Sequence, residues 1–176
     1  MRPFVKPVVL VLFLLTTFAL APAVLAARPT RTVDEGPSDP FVIPAGFGCA
    51  FDVGFVGSDN AGGATIDFGD GRIATFGHGE PTFTNLETGA VYDDWTSQYR
   101  SLDTYDPVTN TSLFEVHGRF WAYFFPGDQG PFGLVGEPGA FFGTVGHVTL
   151  TVDAATGVFT SYSLNGQTTD ICAELS

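Results

Sequence analysis

The sequence predicts an all-β protein: an antiparallel β-barrel of about eight strands, with a two-sheet β-sandwich as the alternative. Three observations predict it. The chain has 22 Gly and 18 Phe but only 15% charged residues, a composition unlike the Ala, Leu, Glu and Lys of helical bundles and coiled coils. Apolar and polar residues alternate over short segments, and no 3.6-residue apolar period runs through three turns after the leader. Tight-turn dipeptides such as Asp70-Gly71 and Asn165-Gly166 separate these segments.

Taken in order, residues 1–26 read as a secretory signal peptide. Arg2 and Lys6 give a positive start, Val8 to Leu20 carries no charge, and Val24-Leu25-Ala26 suits a signal peptidase. The uncharged core is shorter than the roughly 20 apolar residues of a bilayer span. Residues 27–40, including RPTRTVDEGPSDP, are polar and proline-rich and read as a flexible linker. Residues 41–176 form a single β domain. Cys49, Phe51, Val53 and Phe55 alternate with Ala50, Asp52 and Gly54 as a half-buried strand. Ala64 to Phe68 and Arg72 to Phe76 flank Asp70-Gly71 as a hairpin. Strands at Pro81 to Leu86, Ala90 to Ser97 and Gln98 to Tyr105 follow, ending at the Asp106-Pro107 turn. Leu113 to Phe125 is the longest strand signal. Gly143 to Asp153 comes next, then Val158 to Leu164 and Gln167 to Cys172, joined by a turn at Asn165-Gly166. Gly57 to Gly63 and Pro126 to Gly139 read as loops.

The chain carries 19 Asp plus Glu against 7 Lys plus Arg, a net charge of -12. Loss of Arg2 and Lys6 with the leader leaves 5 Arg against the same 19 acids, or -14, with no lysine in the mature chain. Such a surface repels a phosphate backbone, so no nucleic-acid partner is expected. Cleavage of the leader also leaves no membrane segment, and a secreted, extracellular monomer is expected. In an oxidising compartment the economical reading of Cys49 and Cys172 is one disulfide, with two free thiols as the alternative. On that reading the first and last strands lie close together.

The order CAFDV at Cys49 to Val53, the Asp70-Gly71-Arg72 hairpin, the tract Thr84-Asn85-Leu86-Glu87-Thr88-Gly89, the pattern G.V....D..TG from Gly146 to Gly157 and the closing DICA resembles the small secreted β proteins of actinobacteria. The resemblance covers most of the mature chain and implies a shape built of turns and a disulfide. Pro138 to Asp153, PGAFFGTVGHVTLTVD, is also similar to the glycine-punctuated strands of allene oxide cyclase-like and dirigent-like barrels. No functional residue is carried over from either.

The chemistry concentrates on the long strand. Glu115, His117, Arg119, Trp121 and Tyr123 share one face, while Phe114, Val116, Phe120, Ala122 and Phe124 share the other. Neighbours on a face are about 6.5 to 7 Å apart, so Glu115 could orient His117, and Arg119 could hold an anion beside it. His147 on a second strand could join them. These six residues are the candidate ligand-binding set, with His117, Glu115 and Arg119 as catalytic candidates. Tyr92, Trp95, Tyr99 and Tyr105 offer rings for stacking on a carbohydrate. Paired carboxylates of Glu115 with Asp153 or Asp103 remain geometrically open. No spacing among His78, His117 and His147 supports a metal site, and no cofactor motif occurs. Three functions follow: binding of a small or extracellular ligand, a barrel-type cyclase or hydrolase using His117 and Glu115, or a cell-surface interaction without a pocket.

Overall fold

The computed structural model describes residues 28–36 and 39–176, so the segment 1–26 read as a signal peptide lies outside the described residues. The main sheet has seven antiparallel strands in the order β1 (Thr30–Glu35), β4 (Gly62–Asp67), β5 (Arg72–Gly79), β8 (Ser97–Asp106), β9 (Thr111–Phe124), β12 (Ala140–Asp153) and β13 (Phe159–Asp170). A smaller sheet has the order β2 (Phe41–Ile43), β3 (Val53–Val56), β6 (Thr82–Asn85) and β7 (Val91–Tyr92). A short ribbon joins β10 (Gln129–Gly130) to β11 (Gly133–Leu134), and one helical turn, α1 (Ile171–Glu174), ends the chain. The architecture is therefore all-β and antiparallel. Among the described residues the large sheet is open, with β1 and β13 as unjoined edges, and no closed barrel forms.

Several elements differ from the sequence reading. Part of the segment read as a linker is β1, paired with β4 from Thr30↔Asp67 to Glu35↔Gly62. It is held by main-chain pairing, and Arg31, Thr32 and Val33 are exposed, so no apolar pattern marks it. The strand expected from Cys49 begins only at Val53, because Cys49 to Asp52 is spent on a turn in which Gly46 donates to the Cys49 carbonyl at 2.9 Å and Ala45 to Asp52 Oδ1 at 2.7 Å. Asn165-Gly166 is no hairpin turn but the middle of the unbroken strand β13, facing His147 and Gly146.

Gly166 has a different role. It ends a row that crosses six strands: Gly63, Gly77, Tyr99, Gly118, Gly146 and Gly166 are successive cross-strand partners. A Cβ at Gly118, Gly146 or Gly166 would overlap the carbonyl oxygen of Gln98, Asn165 or Val145 respectively, and one at Gly63 would lie 2.5 Å from the Phe76 oxygen. At these four glycines neighbouring backbones come too close for a side chain, the signature of a sharp bend in a sheet.

Ring contacts across the row show how sharp it is. Tyr162 is level with Leu150 and Phe114. In a flat sheet Phe124 would lie about 33 Å further along, at about 3.3 Å per residue. Yet the Tyr162 and Phe124 rings are 5.8 Å apart. The sheet folds over on its glycine row, closing one face on itself. Val116, Phe124, Phe142, Val148 and Leu150 are buried inside this concave fold.

The small sheet covers the opposite, convex face, but only beyond the row. There Trp121 meets Phe55 at 5.3 Å and Phe83 at 5.6 Å, and Phe83 meets Phe141 at 5.1 Å. The Trp95 indole fills the space over Gly143, where a Cβ would come within 2.6 Å of the ring. Helix α1 seals this layer with Ile171 and Leu175, both 0% exposed. Asp170 caps it by accepting from Ala173 N at 3.1 Å, and the buried Asn85 amide donates to the Leu175 carbonyl at 3.0 Å. Cys49 and Cys172 are bonded, with Cα atoms 5.5 Å apart. The bridge thus ties the turn before β3 to α1, because Cys172 sits in the helical turn rather than in the last strand.

Two outcomes are expected from this arrangement. Gly146→Ala adds a Cβ against backbone and should lower the free energy of urea unfolding by about 3 kcal/mol or more. Gly89→Ala, at φ 78 with no atom within 4 Å of its Cβ, should cost only about 1 to 2 kcal/mol. Equal losses would refute the packing account of the row. Reduction of the disulfide, which spans a sequence separation of 123, should cost at most about 4 to 5 kcal/mol on a chain-entropy basis. The urea midpoint with and without reductant measures it.

Candidate functional site

Strand β9 presents the expected polar series on the convex face, and the fold divides it. Glu115, His117 and His147 lie where the small sheet does not cover the face. His117 and His147 are direct cross-strand partners, with rings stacked at 4.0 Å and an interplanar angle of 4°. Glu115 Oε1 stands 4.0 Å from His147 Nε2, beyond hydrogen-bonding reach. It faces His147 rather than orienting His117. Arg119 is turned toward the small sheet, with its guanidinium carbon 4.8 Å from the Trp95 ring centre, a cation–π contact. Trp121 belongs to the core between the sheets. Tyr123 is half-exposed and touches Phe125 edge-on at 5.6 Å. The six candidates share a face, and of them Trp121 lines the cleft described below.

Other sequence candidates are also separated. Asp103 faces the concave side, since its partner is Phe114, while Glu115 faces the convex side, so the two cannot act on one substrate bond. His78 lies on β5, two strands from His117. Among the described residues no three His, Cys, Asp or Glu side chains are grouped to hold a metal ion. The aromatic set disperses: Trp95 is buried, Tyr92 packs against the core, and the Tyr105 hydroxyl donates to Asn110 at 3.0 Å on the surface.

Most of the aspartates serve turns. Asp67 accepts from Gly69 N at 2.7 Å, Asp106 from Val108 N at 2.8 Å, and Asp153 from Ala155 N and Thr156 N, both at 2.9 Å. Those amides hold the Asp106 and Asp153 carboxyls below the usual carboxylate range. Asp128, 3% exposed, accepts from Phe125 N at 2.8 Å and Phe159 N at 2.9 Å, pinning the end of β9 to the start of β13.

A half-open cleft lies against the concave face, which the apolar alternation of β9 marks as core. There β4, β5, β8 and the first half of β9 wall this cleft of ≈ 450 Å³. Tyr99, Phe114, Val116 and Phe120 supply apolar surface, and Phe55 and Trp121 stand at one end. Thr75 and Ser101 add hydroxyls. Ser97 also lines the cleft; it is 7% exposed, and its Oγ has no hydrogen-bond partner among the described residues. The glycine row makes this room: Gly63 and Gly77 project nothing into it, and the Tyr99 ring lies over Gly77, 2.6 Å from where a Cβ would stand. Burial raises the Tyr99 phenol above its ordinary value, so it stays a neutral donor. The missed signal was the pairing of strand glycines with hydroxyl residues at every second position of β8, Ser97, Tyr99 and Ser101.

Below the cleft, burial raises the Asp103 carboxyl, opposed by a hydrogen bond from Ser112. Its Oδ1 has no partner in the hydrogen-bond network of the described residues. A group whose folded pKa is raised favours folding while protonated, and that contribution disappears as pH climbs through the folded value. Asp103→Asn should therefore raise the urea midpoint at pH 7, and the gain should vanish below the unfolded value of 3.8. A destabilised variant at pH 7 would contradict this account. No protein-family model, curated protein or solved structure matches the chain.

Proposed function

We propose that the chain is an exported, disulfide-closed β domain of sandwich rather than barrel build, which binds a small, neutral, largely apolar ligand in the concave cleft. The observation that carries this reading is the cleft of ≈ 450 Å³ itself, lined by the Tyr99, Phe114 and Phe120 rings together with Thr75 and Ser101. The volume lies within the roughly 300 to 1,000 Å³ of small-molecule sites. Aromatic walls with the hydroxyls of Thr75, Tyr99 and Ser101 favour a ring-containing ligand carrying one or two polar groups. Export is supported by the uncharged leader and the disulfide, and no described helix is long and apolar enough to cross a membrane. The likeness to small secreted actinobacterial β proteins agrees with it. This reading moves the ligand from the Glu115–Tyr123 face to the opposite side of the same strand.

The test uses the neutral fluorophore N-phenyl-1-naphthylamine. Saturable fluorescence enhancement at one site per chain is expected, weakened about tenfold or more by Ser101→Trp, which fills the cleft. Thr75→Phe serves as a second filling variant. Both should keep the near-ultraviolet circular dichroism of the parent. An absence of saturable enhancement, or filling variants that bind as the parent does, would sink the proposal.

A further inference from the structure

The convex face carries a charge pattern opposite to that of the whole chain. Arg31, Arg72, His78, Arg100, His117, Arg119 and His147 all occupy it, as their cross-strand pairings require. Every Arg and His of the seven strands thus faces one way. Arg72 is neutralised by Asp70, with Nη2 2.9 Å from Oδ2. Arg31, Arg100 and His78 are exposed and have no carboxylate within 4.0 Å among the described residues. Between the strand ends, Glu115 is the one described carboxylate on the face.

The same face holds a depression. A hollow of ≈ 600 Å³ lies over β1, β4, β5 and β8, bordered by Arg31, Val33, Phe76, His78 and Gln98. The Phe76 ring is 44% exposed, and its cross-strand neighbour is Arg100. From there a polar strip continues through His117, His147 and Asn165, at successive positions on β9, β12 and β13. Strands about 4.8 Å apart make the run from Phe76 to Asn165 about 19 Å long.

We propose that this hollow and strip bind an acidic saccharide, a short chain of carboxylated sugar rings. Phe76 offers a flat apolar face for a sugar ring, Arg31 and Arg100 pair with its carboxylates, and Gln98 and Asn165 bond its hydroxyls. The net charge of -12 opposes a densely charged polymer such as nucleic acid. A sparsely charged chain meets less of that repulsion: Glu115 stands diagonal to Arg100 on the neighbouring strand, and the next acid of this face on β8, Asp106, lies about 20 Å from Arg100, beyond a Debye length of about 8 Å at physiological salt. The hollow adjoins the cleft across the bare glycine backbone, where Gly62, Gly63, Phe76, Gly77, His78 and Tyr99 line both, while Ser101, Phe114 and Val116 line the cleft alone and Arg31 and Gln98 the hollow alone.

Calorimetric titration with an oligogalacturonate tetramer, against a neutral dextran oligosaccharide of equal length, tests this. The acidic oligomer should bind and the neutral one should not. The double variant Arg31→Gln/Arg100→Gln should weaken binding about tenfold or more, while Ser101→Trp leaves it unchanged. Phe76→Ser should weaken it with charge intact. Equal binding of the neutral oligomer, unaltered binding by the Arg double variant, or equally tight binding of inorganic phosphate or a single-stranded oligonucleotide would overturn the proposal. Loss only in Ser101→Trp would place the saccharide in the cleft instead.

Discussion

The whole architecture depends on the backbone approach along the glycine row. At Gly118, Gly146 and Gly166 a neighbouring strand's carbonyl oxygen occupies the place of a side chain. That approach lets three long strands pass from one layer to the next without interruption, as sheets do at the corners of orthogonal packings. Phe124 then meets Phe142, Phe159 and Tyr162 inside the fold, and the surface beyond the row is freed to receive the small sheet. A flat sheet of the same sequence would leave Phe124 and Trp121 on open faces. Burial of aromatics at about 25 cal/mol per Å² offsets the close packing of the backbone.

The row also separates the two surfaces on which function would rest. On the concave side, missing side chains leave a cleft whose wall is Tyr99, Phe114 and Val116. On the convex side, the same bare backbone at Gly62, Gly63 and Gly77 floors a shallow hollow. Tyr99 is the one residue in the row with a side chain, and its ring takes up the space over Gly77. The two surfaces therefore share their structural cause while differing in chemistry: aromatic and hydroxyl within, cationic and amide without.

The acidic composition has a structural origin that bulk charge does not reveal. Asp67, Asp106, Asp153 and Asp170 each bind a backbone amide at a turn or helix start. Aspartate favours such places because its short carboxylate reaches the amide two or three residues on. Many of the acids therefore gather at turns, while the Arg and His residues of the large sheet share its convex face. A net charge counts both and shows neither location.

Read alone, the sequence determined the strand-rich class, the hairpin at Asp70-Gly71, the two faces of β9 and the pairing of its only two cysteines. Each rests on a local rule: alternation, turn chemistry, or the redox logic of two thiols. Asn165-Gly166 has the composition of a turn, and only the opposing Gly146 and Val145 backbone shows it to be the middle of a strand. Strand β1 escaped notice because its partner supplies main-chain hydrogen bonds, which leave no mark on side-chain pattern. Which side of β9 encloses space was decided by the fold-over and by where the small sheet lands. Alternation tells that two faces differ; it carries no sign for which one curves inward. That sign depends on contacts between residues distant in the chain, and here it placed the cleft behind Tyr99 and left His117 and His147 facing out.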